Sequence, residues 1–423
     1  MEDKSRSALF SNRSFRRLFS SYTLASFGDW FDMLAIQVLV VYRWGVDPLL
    51  IALIPTVMAL PGVLLGSFAG TIVDRVRKSR IMILCDMLTA VLTLCVLLAT
   101  NLALLLPLLA LRATASLFHV PAQQALTKQV VPSELLLRAT SLNGLVNQSS
   151  KVAGPLLGAI TLIVLTPQIC IILNAVARVV SALLLWPLRL MREEFVTPSR
   201  EQMEGLTKFW VEWREGWSFM LKTRRLLHTL VFGFFGLLAI LLIDYQFPTV
   251  LREIDPHNES LLGWFISAIG AGAVGIIVLL NRLNRITIGW GLGGGYVLIG
   301  AGILLLGSSQ PGIGISILLS FGVLIGIGNG LYMVTHSFTL QTETPPHMTG
   351  RIFGIQNTIM SFVMLTAPLV GGMLIHSVGV SRSFVLIGLM IGTLGLFGVL
   401  LRRILWPTMT TAPTTEQKSV GLT

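Results

Sequence analysis

Four charged residues fall where charge is costly. Asp29 and Asp32 sit near the middle of one long apolar run, Arg112 near the middle of another, and Asp244 in the outer part of a third. An ionisable side chain inside a hydrocarbon layer marks a functional site by default. Asp29 and Asp32 are three apart, so one helical face carries both. A buried acid keeps its proton until a cation or water reaches it, which is the chemistry of a proton-coupling site. The same residues also fit a structural ion pair, with Asp29 or Asp32 bound to Arg112 and fixing helix register. Trp30 and Phe31, and further on Asn329 and Tyr332, are placed to touch an apolar substrate or, equally, to pack helices. Arg178, Lys151 and Asp86 are weaker candidates. Asp86, close to the end of its run, could join a charge cluster around Asp74. His119 and His336 read first as hydrogen-bonded structural histidines.

The elements that must position these residues are membrane spans. The 423 residues are 53% hydrophobic and 12% charged, with a mean hydropathy of +0.78. That composition fits a polytopic membrane protein. Runs of about 20 apolar residues predict twelve spanning helices. They cover 19–42, 49–72, 81–99, 103–122, 140–165, 167–188, 226–248, 261–280, 286–308, 312–336, 353–376 and 383–405. The chain therefore divides into a first six-helix bundle (1–188), a linker (189–225), a second bundle (226–406) and a disordered cytoplasmic tail (407–423). Trp210, Trp213, Trp217 and Met220 recur at helical spacing and predict an amphipathic helix on the inner membrane surface. The N-terminus shows no cleavable signal pattern.

The basic residues set the orientation. With both termini inside, Arg43, Arg252 and Arg382 lie outside, and Arg112, Lys151 and Arg178 lie within spans. The remaining 25 of the 31 Lys and Arg are cytoplasmic, a strong positive-inside bias. The net charge of +11 is spread over short loops, so it does not indicate nucleic acid binding. Cys85, Cys95 and Cys170 fall inside apolar runs and read as core residues. No Walker pattern, catalytic triad or metal-ligand spacing is present, so no enzyme activity, cofactor or metal is expected.

The halves repeat. Pro132, Arg138, Pro155 and Gly158 correspond to Pro345, Arg351, Pro368 and Gly371, each pair 213 residues apart, and Asp29 corresponds to Asp244 at 215. Between the second and third runs lies an ordered basic turn containing Gly70, Asp74, Arg75, Arg77 and Lys78. In the fifth, Gly154, Pro155 and Gly158 combine a proline kink with room for a close neighbour.

The basic turn resembles the loop signature of the major facilitator superfamily. Gly154-Pro155-Leu156-Leu157-Gly158-Ala159, the stretch from Pro121 to Asn143, and Gly28-Asp29-Trp30-Phe31 resemble its twelve-span drug:proton antiporter branch, which includes macrolide efflux pumps and enterobactin exporters. The resemblance implies an all-α fold of two pseudo-symmetric six-helix bundles, with spans one, four, seven and ten around a central cavity. It implies that Gly70, Asp74, Arg75, Arg77 and Lys78 form a cytoplasmic gate. The antiporter motif, Gly154, Pro155 and Gly158 with Pro368 and Gly371 as its repeat copy, would block leaks and bend during switching. The implied function is export of an amphiphilic small molecule in exchange for protons, by a monomer in the cell membrane. The alternatives are an uptake carrier, a lysophospholipid flippase of the same fold, or a membrane receptor or assembly partner that does not transport.

Overall fold

The computed structural model describes residues 9–190, 214–215, 217–283, 287–345 and 349–406. The side chains of Gly70, Asp74, Arg75, Lys151 and Arg351 lie outside the described set, as do Trp210, Trp213 and the 407–423 tail.

Among the described residues twelve long helices follow one another: α1 (Arg13–Val38), α2 (Leu53–Arg75), α3 (Lys78–Val96), α4 (Leu102–Val130), α5 (Ser133–Val164), α6 (Pro167–Leu185), α7 (Arg224–Leu241), α8 (Ser260–Leu283), α9 (Gly295–Gly307), α10 (Ile315–Glu343), α11 (Thr349–Val378) and α12 (Val380–Leu400). Eleven described helical stretches are long and apolar enough to cross a membrane. The twelfth, α5, is apolar over Ala153–Val164, and its first half is polar. Helices α4, α5 and α10 run past their apolar stretches by about two turns. Apolar length tracks hydrocarbon thickness, whereas a helix continues into water with polar residues.

Local chemistry sets the helix ends. The Asn12 carboxamide caps α1 by accepting from the Ser14 and Phe15 amides at 3.0 and 3.2 Å. Its NH2 group donates to the Val130 carbonyl at 3.0 Å, tying the start of α1 to the end of α4. Asn101 caps α4, and Pro167 opens α6 at a position where its missing N–H costs nothing. Gly379, at φ 93°, turns the chain between α11 and α12 in a conformation that favours glycine.

The expected single span over 226–248 is broken. α7 ends at Leu241, a 3-10 turn covers Asp244–Gln246, and a short helix runs Phe247–Ile254. Pro248 supplies the reason. It has no N–H, and its ring conflicts with the carbonyl four residues earlier, that of Asp244.

Within the first bundle α1 packs on α5 and α6, α3 on α4 and α6, and α2 on α4. Within the second, α9 packs on α10 and α12, and α8 on α10. The bundles meet through α5 with α8 and α2 with α11. Polar ties between them gather at the end carrying the α1–α2 connection. Arg43 pairs with Glu259 at 3.3 Å and His376 with Asp47 at 3.3 Å. Arg252 donates to the Val41 carbonyl at 2.7 Å and Gln246 to the Pro48 carbonyl at 2.8 Å. From the linker, residues 217–222 are helical; Met220 is buried and Trp217 half-buried, and both pack on Leu226, Leu340 and Ile352 of the second bundle.

Candidate functional site: a two-chambered cavity between the bundles

The central cavity has two chambers that share Trp30, Met33 and Gln37 of α1. The first, about 470 Å³, holds the paired charges and belongs mainly to the first bundle. Asp29, Asp32, Arg112, Ser116, Asn147 and Ser150 line it. The second, about 260 Å³, has an apolar wall contributed by the second bundle, largely isoleucines from α7, α8, α9 and α10. Asp244 and Asn329 face this chamber. The break in α7 is what presents Asp244 there, at a non-α turn in mid-chain of the span.

The glycines of the candidate antiporter motif explain where Trp30 sits. A Cβ on Gly154 would fall inside the Trp30 indole ring, and one on Gly158 would collide with the Trp30 carbonyl oxygen. Both glycines are therefore needed for α1 to lie against α5 with its indole between the chambers. Pro155, between them, lines the apolar chamber. The second-bundle copy has the same logic: a Cβ on Gly371 would collide with the Leu242 carbonyl oxygen at the α7 break, and Pro368 is buried beside it.

The charges are paired in two sets. Arg112 Nη1 lies 2.6 Å from Asp32 Oδ2, and the acid is buried. Of the two partners that the sequence allowed for Arg112, the structure selects Asp32. Asp29 pairs instead with Arg178 of α6, whose Nη2 lies 2.6 and 2.5 Å from its two carboxylate oxygens. Gly28 sets this up, because a side chain there would press on Asn174 and Ala177 and hold α1 away from α6. Arg178 continues through Nη1 to Asp86 Oδ1 at 2.9 Å. Asp86 is fully buried and accepts from Ser181 at 2.6 Å; His119 Nε2 lies 3.4 Å from its Oδ1. The expectation that Asp86 joins a cluster around Asp74 is thus corrected. Eight residues of helix separate Asp86 from Lys78, about 12 Å of rise, which carries it into the bundle core.

Other candidates are placed as follows. Asn329 faces the apolar chamber, whereas Tyr332 stacks on Tyr296 at 4.7 Å and lies tilted against His336 at 5.3 Å. In the candidate gate, Arg77 reaches the carbonyl of Arg189, just past α6, at 3.4 Å, and Lys78 is buried. Sequence reasoning ranked Arg178, Asp86 and His119 low. Their in-span position was the available signal, and their meeting depends on helix order.

Twelve helices in two bundles, with an ion-paired cavity between them, define a polytopic membrane transport protein. The chain belongs to the Major Facilitator Superfamily, whose family model matches residues 18–368. It is 28% identical over 408 residues to the uncharacterised MFS-type transporter YfiS of Bacillus subtilis, covering 92% of this chain and 94% of that protein. It is 23% identical to macrolide efflux protein A of Streptococcus pyogenes, over 78% of this chain and 82% of the relative. Among solved structures, it resembles a bacterial homologue of the human lysosomal transporter Spinster in an inward-facing, unoccupied conformation. That match has a TM-score of 0.70, 14% identity, and coverage of 95% and 99%.

Proposed function

We propose that the protein is a proton-driven exporter of an amphiphilic small molecule, working as a monomer in the cell membrane with both termini cytoplasmic. The observation that carries this reading is the pairing of a charged chamber with an apolar one in a single cavity between the bundles. An amphiphile would place its apolar body among the isoleucines and its polar end near Trp30 and the acids. Asp29 is half-exposed to the cavity and bound to Arg178, so it offers a site where proton and substrate compete. Asp32, Arg112 and Asp244 complete the cavity charges. The distant likeness to macrolide efflux protein A supports export of a drug-like compound.

The ties at the α1–α2 end correspond, in the orientation set by the basic loops, to a closed outer side. Alternating access would break them and bring the basic turn at Gly70, Asp74, Arg75, Arg77 and Lys78 against the second bundle. Two chambers around one tryptophan also favour transport over a receptor role.

The test is uptake of a panel of amphiphilic amines and neutral amphiphiles into inverted and right-side-out vesicles, with and without a proton uncoupler. Accumulation in inverted vesicles that the uncoupler abolishes is expected. Accumulation in right-side-out vesicles would make the protein an uptake carrier and overturn the reading.

A further inference from the structure

Just past the last helix of each bundle, an arginine is laid on a tryptophan. Arg402 follows α12, and its guanidinium lies 5.0 Å from the centre of the Trp290 ring. Arg189 follows α6 and lies 3.8 Å over Trp186. The two arginines are 213 residues apart, the offset of the other repeat pairs. Trp290 in turn falls 213 residues after Arg77, whose guanidinium donates to the Arg189 carbonyl. The repeat thus brings the start of its third helix against the end of its sixth, and the second half fills that place with a ring and a cation.

The second-half pair is held in place by its surroundings. Gly289 precedes a π-helical turn at Trp290–Gly294, and a Cβ on it would collide with the Arg402 Cβ, so the glycine lets the ring reach the arginine. Beyond Arg402 the chain is pinned to α7. His228 Nδ1 lies 2.8 Å from the Leu405 carbonyl oxygen, and the Trp406 indole donates to Thr229 at 2.9 Å. The neighbouring Arg403 is exposed, and neither arginine contacts a carboxylate among the described residues. Glu343, at the same end of the molecule, is taken by Arg225 at 3.2 Å. Trp290 stays 54% exposed despite the stack. Phe397 and Leu400, one turn apart on α12, form an exposed apolar strip that ends two residues before Arg402.

We propose that Trp290, Arg402 and Arg403 form a binding site for the headgroup phosphate of an anionic phospholipid. A planar guanidinium takes a phosphate through two parallel N–H bonds. Stacking on a ring fixes its plane and leaves that N–H edge free. Two cations with no acid beside them select a headgroup of net negative charge, because the ammonium of a zwitterionic lipid meets them with like charge. A tryptophan suits the headgroup level, and the acyl chains run along the Phe397–Leu400 strip, which a soluble anion cannot use. In the orientation proposed above this end is cytoplasmic, so the lipid belongs to the inner leaflet. The site goes beyond the transport reading and uses no step of it.

The test titrates full-length, delipidated protein in detergent with phosphatidylglycerol or phosphatidylcholine and reads bound lipid by native mass spectrometry. The wild type is expected to bind phosphatidylglycerol the more tightly. Replacing both arginines, Arg402→Gln with Arg403→Gln, should weaken phosphatidylglycerol about thirtyfold, a factor of about five per guanidinium, and leave phosphatidylcholine unchanged. Trp290→Leu keeps both charges but releases Arg402, so it should weaken phosphatidylglycerol by a smaller factor and keeps the test open if the double variant folds poorly. Arg13→Gln with Arg17→Gln removes two exposed cations from the start of α1 and should change nothing. Wild-type affinity in the Arg402 and Arg403 variant, or an equal loss in the Arg13 and Arg17 variant, overturns the site in favour of diffuse charge attraction. Displacement of phosphatidylglycerol by millimolar inorganic phosphate overturns the lipid as its occupant. Binding is read without transport, so a failed vesicle assay leaves the lipid site standing, and loss of the site leaves the export reading standing.

Discussion

The two bundles differ in what holds their six helices together at the core. The first is joined across its core by charge: Arg178 links α1, α3 and α6, and Arg112 links α4 to α1. The second is joined by contact between small residues. A Cβ on Gly300 of α9 would collide with the backbone of Gly392, and one on Gly388 of α12 with that of Leu304. Beside this close crossing lies an aromatic stack of Phe232, Tyr296, Tyr332 and His336. In lipid there is no hydrophobic drive between helices, so either polar bonds or close packing must supply the cohesion. The difference teaches that packing holds a shape, whereas ion pairs hold a shape that a proton can change. On the proposed function, charge in the first bundle and apolar surface in the second would divide coupling from substrate grip.

The comparison breaks most severely at Arg178. Arg178→Ala leaves Asp86 buried without its cation and is expected to destabilise the protein by about 3–5 kcal/mol. Thermal unfolding in detergent would show this as a large drop in midpoint, and Arg112→Ala should follow in the same direction by stranding Asp32. In the second bundle, Gly388→Val inserts bulk at a backbone contact and should cost about 1–3 kcal/mol, read by the same assay. Pro155→Ala adds a helix hydrogen bond and should leave abundance and stability near wild type while reducing coupled export. Wild-type export in that variant would mean the proline serves structure alone. The smallest effect belongs to Glu259→Gln at the tied end. Its partner Arg43 is exposed, so the pair contributes about 0.2–1 kcal/mol, screened by salt. Cysteine accessibility from the two membrane sides should shift slightly towards the outward-open form.

Much of this architecture was legible in the sequence because membranes impose simple rules. Twelve apolar runs correspond to twelve helices, since hydrocarbon thickness fixes the run length. Asp29, Asp32 and Arg112 stood out because charge is rare in such runs. What the runs do not encode is which helix lies beside which. The Asp29–Arg178 pair joins residues 149 apart in sequence, and no local pattern marks it. Helix rotation was equally hidden: Asn329 and Tyr332 are three apart, yet one faces the cavity and the other its aromatic stack. The α7 break was readable in principle from Pro248, but the apolar run continued across it.

The central claim is that the charged bundle carries coupling, and substrate-driven proton movement in proteoliposomes tests it most directly. Asp29→Asn keeps the shape of the protonated acid and removes its titration. With a compound identified in the vesicle panel, the wild type should move protons against substrate flow, and Asp29→Asn should exchange substrate downhill without moving protons. Asp244→Asn, which alters the apolar chamber, should weaken substrate binding more than it alters protons moved per substrate. Wild-type proton movement in Asp29→Asn would contradict the account and make the Asp29–Arg178 pair structural.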